Sequence, residues 1–349
     1  MATKLGSNSI VKKMLGNKEV LKEVLNGVVV YTNTPPTYPY VTFSSPNTFT
    51  IAQAGSKKTW DGTLEYSTDK QNWSTWNGTT TLNSSSTGDT KYLYMRGTDN
   101  SYITGNTSSR YWSITGSNVT ISGDIENLLD YQDVENGVHP TTGDYTFTYL
   151  FYSNSSIVDC SNLVLSCPTI KKWAYASMFY YCQNLVYGPS TISATGTVAS
   201  NGCYQMFWCC TNMILGPSEL AATTLDYYAY QQMFQLCSSL ISPPIISATY
   251  AADTSMSAMF DNCSSLEDLP KLYLSTFVGS YCCRNMFSAC SKIKISTTQT
   301  GEYQNAYLLP IGQTTGSNPY QYIFDSTGGT YTGDGTAGTT YYTSNDIIY

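Results

Sequence analysis

Eleven cysteines, one histidine, a scatter of acids and 31 tyrosines are the residues of this 349-residue chain whose chemistry suggests a function. The cysteines fall into register. Five times the chain reads Met-Phe-x-x-Cys: Met178, Phe179 and Cys182; Met206, Phe207 and Cys210; Met233, Phe234 and Cys237; Met259, Phe260 and Cys263; Met286, Phe287 and Cys290. Zinc ligands come as closely spaced pairs that face each other. Steps of 28, 27, 26 and 27 residues between the methionines suit a ladder of small apolar side chains instead. An odd count forbids complete disulfide pairing, although Cys160 and Cys167 are near enough in sequence to bridge in an oxidising setting. The thiols therefore read as buried, unpaired and apolar. In the neighbouring pairs Cys209-Cys210 and Cys282-Cys283, one member is expected to point inward and the other elsewhere.

His139 would have to serve every Ser-His-Asp, Cys-His or multi-histidine scheme. It precedes Pro140 in a Gly- and Thr-rich stretch and reads as a loop residue. Paired carboxylates cleave glycosidic bonds, but neither Glu267-Asp268 nor Asp124-Glu126 has an evident partner across a groove. Phosphate-cradling, nucleophile-elbow and dinucleotide motifs are absent. These residues indicate no catalytic site, no metal and no cofactor.

The aromatic residues point to binding. Tyr180 and Tyr181 follow one Met-Phe pair, Trp208 occupies the place of Tyr180 one repeat later, and Tyr227 and Tyr228 precede the next. Side chains two and three places after the Met leave the apolar stripe. Tyrosine and tryptophan give large contact area at low entropic cost and can stack on sugar rings. The competing reading is that tyrosine covers the apolar backbone of a charge-poor protein.

The elements that hold these residues follow from the same period. Taking each Met as position i, apolar residues also stand at i−3 (Tyr175, Cys203, Tyr230, Met256, Cys283) and at i+7 (Leu185, Met213, Leu240, Leu266, Ile293). With i, i+1 and i+4 they form one helical stripe. At i+11 stand Pro189, Pro217, Pro244 and Pro270, which end the run and begin extended segments such as Ile245-Ile246 and Leu272-Tyr273-Leu274. Each unit is thus expected to be a short helix, a turn and a short strand. A unit of about 27 residues cannot bury its own apolar face, so the units must stack into a solenoid. A degenerate copy, Leu150-Phe151 with Asn154 and Ile157, precedes them. It and the last copy carry Ser161 and Thr297 in place of the proline, as capping repeats do.

This unit, Met-Phe-x-x-Cys-x-x-Leu with Tyr or Cys before it and Pro after it, resembles the BspA-like leucine-rich repeats of bacterial surface proteins. Such repeats also occur in virion proteins of phages that infect gut bacteria. The resemblance covers roughly residues 145–300. It implies a curved solenoid used for adhesion, without catalysis.

Before the repeats, short β-rich runs alternate with Gly, Asn and Ser turns: Tyr40–Phe43, Phe49–Ala52, Leu64–Ser67, Tyr92–Arg96, Tyr111–Thr115 and Asn118–Ser122. They read as a small antiparallel sandwich. The stretch from Leu64 to Asp69, with Trp73, Trp76 and Tyr94-Met95-Arg96-Gly97, resembles an Ig-like module. Leu128-Leu129, after Asp124, reads as an amphipathic turn capping the repeats. At the amino end, Leu5, Leu15 and Leu25, and Ile10, Val20 and Val30, recur every ten residues, which favours short strands over a helix through Val20–Leu25. This segment resembles docking modules of phage virion proteins. Tyr341-Tyr342-Thr343 and Ile347-Ile348-Tyr349 read as strands that close the far end of the stack.

The resulting expectation is a multidomain chain, mainly β plus an α/β solenoid. It comprises a docking module (1–31), a Pro-rich linker (32–39), an Ig-like β-sandwich (40–122), a junction and cap (123–149), about six leucine-rich repeats (150–300) and a β cap (301–349). Charged residues make up only 12% of the chain and the net charge is −7, which excludes a phosphate-binding surface for nucleic acid. Five lysines against two glutamates leave residues 1–25 at a local +3. No run of about 18 apolar residues is present, and residues 1–30 lack the apolar core of an export signal. These features and the resemblance together imply a phage virion accessory protein, assembled in the host cytoplasm. It would dock on other virion proteins through Leu5, Ile10, Leu15, Val20, Leu25 and Val30, in several copies, and would bind a host surface protein or glycan. The alternative is a bacterial cell-surface adhesin; a glycan depolymerase is a remote third.

Overall fold

A computed structural model describes residues 38–348, apart from 56 and 106–108, together with residues 14–15, 18–19, 22–25 and 28–32. The chain divides into two compact units, Met1–Thr37 and Tyr38–Tyr349. In the first, Met14–Leu15 pairs antiparallel with Lys18–Glu19, and Lys22–Leu25 pairs antiparallel with Val28–Thr32. Leu15, Leu25 and Val30 thus lie on strands, and Leu25 is not helical. Leu5, Ile10 and Val20 lie outside the described residues.

The second unit is mainly β. Its one helix among the described residues is Asn127–Glu135, and none there is long and apolar enough to cross a membrane. The six β-runs of the sandwich segment become strands Val41–Ser45, Thr50–Gln53, Thr63–Ser67, Lys91–Thr98, Trp112–Thr115 and Val119–Asp124. Ser74–Trp76 and Leu82–Asn83 add two short strands that Asn, Ser and Thr had hidden in the sequence. One sheet runs in the order Ser74–Trp76, Thr63–Ser67, Lys91–Thr98, Val41–Ser45, Val119–Asp124; the other places Thr50–Gln53 between Trp112–Thr115 and Leu82–Asn83. Alternating apolar residues from both sheets meet in one core around Phe43, Ile51, Trp76, Leu93 and Trp112.

Val119–Asp124 is antiparallel to Val41–Ser45 on one side and parallel to Leu163–Leu165 on the other. From there the sheet continues through Thr191–Ile192, Glu219–Leu220 and Ile245–Ile246, one short parallel strand per repeat. A second parallel sheet collects Thr197–Val198, Thr224–Leu225, Tyr250–Ala251, Phe277–Val278 and Thr314–Thr315. The repeats are therefore successive coils stacked in register. Leu272-Leu274 was expected to be a strand, but only an isolated bridge at Leu272 forms; the strand of that coil is Leu269–Pro270, paired with Ile347–Ile348.

The expected helix in each repeat does not form. The segment around each Met-Phe pair is a ribbon of consecutive turns. In the coil of Met178, the amides of Ala174, Ala176, Met178, Tyr180 and Cys182 each donate to the carbonyl three residues back. The amides between them, from Trp173 to Tyr181, donate instead to the next coil, for example Tyr175 to Gly202 and Phe179 to Met206. Positive φ recurs every fourth residue, at Trp173, Ser177 and Tyr181 here and at Asn201, Gln205 and Cys209 in the next coil. That is the left-handed position a type II turn requires. Tyr175, Met178, Phe179, Cys182 and Leu185 are fully buried, so the apolar stripe was read correctly. A four-residue turn period places side chains on one face much as a helix does. The element differs because half of the amides bond to the neighbouring coil rather than to their own.

Non-glycine residues occupy these left-handed positions throughout the stack. Ala258, at φ 52°, is one of them. Replacing it by glycine should relieve left-handed strain at a modest entropic cost and stabilise the fold by about 0.5–1 kcal/mol. A lower melting temperature for Ala258→Gly would contradict the turn geometry.

Inside the stack two ladders run from coil to coil. The rings of Phe151, Phe179, Phe207, Phe234, Phe260, Phe287 and Phe324 follow one another with centroids 5.3–6.4 Å apart. Beside them each repeat cysteine donates its thiol hydrogen to the phenylalanine carbonyl of the preceding coil. The contacts are Cys182 to Phe151 (3.0 Å), Cys210 to Phe179 (3.1 Å), Cys237 to Phe207 (3.1 Å), Cys263 to Phe234 (3.1 Å) and Cys290 to Phe260 (3.0 Å). A thiol fits this place because it is both small and a weak donor.

The first coil carries Asn154 instead, and its neighbour is the sandwich. Asn154 donates to the Trp112 carbonyl (2.7 Å) and accepts from the Ile114 amide (2.7 Å). Ring contacts of Phe151 with Phe43 and Trp112 join the two cores. At the far end Thr340–Thr343 pairs with Asn305–Leu308 and Lys294–Ser296, and Tyr341 meets the ring of Phe324 edge-on. Leu128 and Leu129 are buried, as the capping turn required.

All eleven cysteines are free and buried, including Cys160 and Cys167. Both members of Cys282-Cys283 are inside, sulfur to sulfur at 3.5 Å, so the expectation that one would point elsewhere is corrected. Cys209 is 9% exposed beside the fully buried Cys210. Burial pushes the Cys182 thiol up to about 12 and raises those of Cys209 and Cys210 as well. A thiolate-specific reagent at pH 8 should therefore label at most Cys209 in the native protein, and all eleven after denaturation. Rapid native labelling of several thiols would contradict the packed ladder.

Candidate binding face

The turn ribbon presents a column of side chains at i+2, one per coil: Tyr152, Tyr180, Trp208, Gln235, Asp261 and Ser288. Each directly follows a buried Met-Phe or Leu-Phe pair, and all but Ser288 are partly exposed. The first three rings stack, Tyr152 on Tyr180 at 5.2 Å and Tyr180 on Trp208 at 4.6 Å, nearly coplanar. The column then becomes polar. The Trp208 indole donates to Gln235 Oε1 (2.9 Å), and the Gln235 amide donates to Asp261 Oδ2 (2.6 Å). Coil spacing sets both the stacking distance and the hydrogen-bond distance, so one backbone repeat orders aromatic and amide rows alike.

Other rings widen the column into a platform. Tyr181, 41% exposed, lies beside Tyr180 and Trp208 at 6.5 and 6.2 Å. Tyr149 meets Tyr152 edge-on at 5.6 Å, and Tyr111 reaches Tyr152 from the sandwich at 5.6 Å. A further row runs Tyr145, Trp173, Tyr204, with centroids 6.2 and 5.6 Å apart. Burial raises the phenol pKa values of Tyr149, Tyr180 and Tyr204, so all three are neutral donors at physiological pH.

The structure thus brings Tyr180, Tyr181 and Trp208 together. Tyr227 and Tyr228 are 52% and 41% exposed at the start of the following ribbon, and no ring contact joins them to the other three among the described residues. Tyr152 was missed, although it stands at i+2 of the degenerate copy and was readable from the register. Tyr111 had no such signal, because its contact depends on how the sandwich docks.

His139 is more than a loop residue. Its Nδ1 lies 2.6 Å from Oε2 of Glu126, a side chain that is almost wholly buried. The Ser166 hydroxyl contacts both Glu126 (3.0 Å) and Asp124. Asp124 and Glu126 therefore converge across the junction between sandwich and coils, a partnership sequence spacing did not suggest. The histidine contacts the carboxylate rather than the serine, so no nucleophile–base pair results. Glu267 is exposed and paired with Lys292 at 2.5 Å. Among the described residues no group of three His, Cys, Asp or Glu side chains is arranged to hold a metal.

Burial raises Asp124, Asp261 and Asp268 above the ordinary carboxylate value of 3.8. At such sites the folded chain binds more protons than the unfolded one, so the stability these three contribute falls as pH rises through their folded values. Asp61 shifts the other way, lowered by hydrogen bonds from Ser101 and Tyr102 although burial opposes them, and its contribution is lost in strong acid. Melting temperature is therefore expected to fall as pH rises from the ordinary carboxylate value of 3.8 through the raised values of these three groups, and to fall again in strong acid as Asp61 is protonated. A monotonic rise to pH 8 would contradict the burial of these carboxyls.

Comparison with family models, with curated proteins and with solved structures gives no match to this chain.

Proposed function

We propose that this chain is an adhesive accessory protein of a bacteriophage particle. In this reading the amino-terminal hairpins dock on other virion proteins, the two-sheet segment is an Ig-like spacer, and the stacked coils are a BspA-like leucine-rich-repeat solenoid that binds a host-surface glycan or protein. The observation that carries it is the continuous row of Tyr152, Tyr180 and Trp208 along one face of the stack, flanked by Tyr181 and by neutral amides. A face built from rings that run on into hydrogen-bonding amide and carboxyl groups suits pyranose rings, which offer apolar C–H faces and hydroxyl edges. Such contacts are weak singly, and display in many copies on one particle multiplies them by roughly 10²–10⁴.

Antibody raised against the coils, imaged on purified particles, tests the location. Regular labelling of head or tail is expected. Labelling of intact bacterial cells with none on particles would replace the virion reading with a cell-surface adhesin. Binding of the purified chain to host cells, competed by extracted surface glycan, tests the adhesive role.

A further inference from the structure

A second site lies in the sandwich and is lined by residues other than those of the aromatic column. Lys57–Trp60 on one segment and Tyr102, Ser109 and Arg110 on another line a pocket of about 500 Å³. Among the described residues its lining holds three cations, Lys57, Lys58 and Arg110, and no acid. That composition is unusual for a chain with 24 acids against 17 bases. Trp60 forms a wall, is only 3% exposed, and its indole N–H has no acceptor among the described residues. Asp61, the nearest acid in sequence, is occupied: Oδ1 accepts from the Ser101 amide (2.9 Å) and Oδ2 from the Ser101 hydroxyl (2.6 Å).

The walls are braced. The buried Thr59 hydroxyl donates to the Ile103 carbonyl (2.6 Å) and ties the two segments together. The Lys57–Lys58 backbone packs so closely on Gly78 that a Cβ there would lie 2.8 Å from the Lys58 nitrogen; Gly78, at φ +75°, leaves that space open. Lys58 Nζ donates to the Gly62 carbonyl (2.6 Å), which restrains one ammonium group at the rim. One Arg110 guanidinium nitrogen would lie 3.3 Å from a Cβ on Gly105, so this cation rests against the chain there.

From this convergence of cations on a pocket with no acid in its lining among the described residues, we infer a binding site for an anionic sugar, a pyranose carrying a carboxylate. The volume is far larger than a bare phosphate or carboxylate needs and is in the range that takes a sugar residue. Guanidinium and ammonium groups supply charge-assisted hydrogen bonds to the anion, and the partly exposed Tyr102 ring supplies a surface for the sugar body. The inference deepens the adhesive reading by naming an acidic glycan component, and it uses different residues from the aromatic column.

Calorimetric or ligand-observed NMR titration of the full chain with glucuronate, glucose and inorganic phosphate tests it. Glucuronate is expected to bind at least tenfold more tightly than glucose or phosphate, and to weaken as salt is raised. The exposed-residue variant K57A/K58A/R110A should lose at least tenfold in glucuronate affinity while keeping the wild-type melting temperature. Trp208→Ala should leave it unchanged. Equal binding of glucose, equal binding of phosphate, or unaltered glucuronate binding in the triple variant would each overturn the assignment. Adhesion to host cells by the triple variant, with glucuronate binding absent even in the wild type, would sink this site and leave the aromatic face standing.

Discussion

Phe234→Ala is expected to cost about 3–5 kcal/mol and to unfold several coils together. Phe234 is fully buried in the middle of the ladder, 5.4 Å from both Phe207 and Phe260 and nearly parallel to each. Its ring also closes on Gly216, where a Cβ would come within 3.1 Å. Truncation would open a cavity that two neighbouring coils share. Neither could collapse into it, because the backbone fixes their spacing: the Phe207 amide donates to Met233, and the Phe234 amide to Met259, both at 2.9 Å. A coil buries its apolar face only against its neighbours, so the loss spreads along the stack. Chemical denaturation followed by far-ultraviolet dichroism should show a large fall in midpoint. Phe234→Leu, which fills most of the volume, should show a much smaller one. Equal and small effects for both variants would mean that the ring is not packed as described.

Trp208→Ala should have the largest effect on adhesion. Trp208 is the point where the stacked rings meet the amide row, touching Tyr180 at 4.6 Å and donating to Gln235 at 2.9 Å. Removing it breaks the platform in two and frees Gln235 from its partner. Loss of a central aromatic anchor commonly costs about 2 kcal/mol or more, roughly thirtyfold in a single-site affinity. In a multivalent display the loss compounds over the engaged copies, so attachment measured on particles should fall further than monomer binding. Trp208→Phe should recover part of the stacking but not the hydrogen bond. The side chain is half-buried at the surface, so a melting temperature within a few degrees of wild type is expected. Unchanged cell binding by folded Trp208→Ala would move the adhesive face elsewhere.

Much of this was legible in the residues. The repeat register located the ladder's Phe residues from Phe151 to Phe287 and its Cys residues, because burial side by side leaves identical residue types at equal steps, whereas Phe324 follows only after 37 residues. The sandwich strands were readable from alternating apolar residues such as Val41 and Phe43. What the register did not reveal was the nature of the element. A helix and a turn ribbon both bury i, i+1 and i+4, and only the destination of the backbone amides separates them. That destination is the next coil, which no local pattern encodes. The same reason explains the partial view of the binding face. Tyr180 and Trp208 were found because they share a column, whereas Tyr111 joins them only after the sandwich docks through Asn154. His139 lies in a loop as expected, but its contact with Glu126 had no signal, since it depends on how the loop folds back rather than on a repeat.

The strand Val119–Asp124 has mechanical consequences. It belongs at once to an antiparallel sheet and to the first of the parallel strands, so sandwich and coils have no hinge between them and bend as one beam. Tension along the stack, however, pulls on the bonds from coil to coil, and those interfaces lie in series. The weakest yields first, and each coil that peels away releases about 27 residues, roughly 90 Å of extended chain. A stack built this way is expected to be stiff against sideways load yet to lengthen stepwise when pulled along its axis.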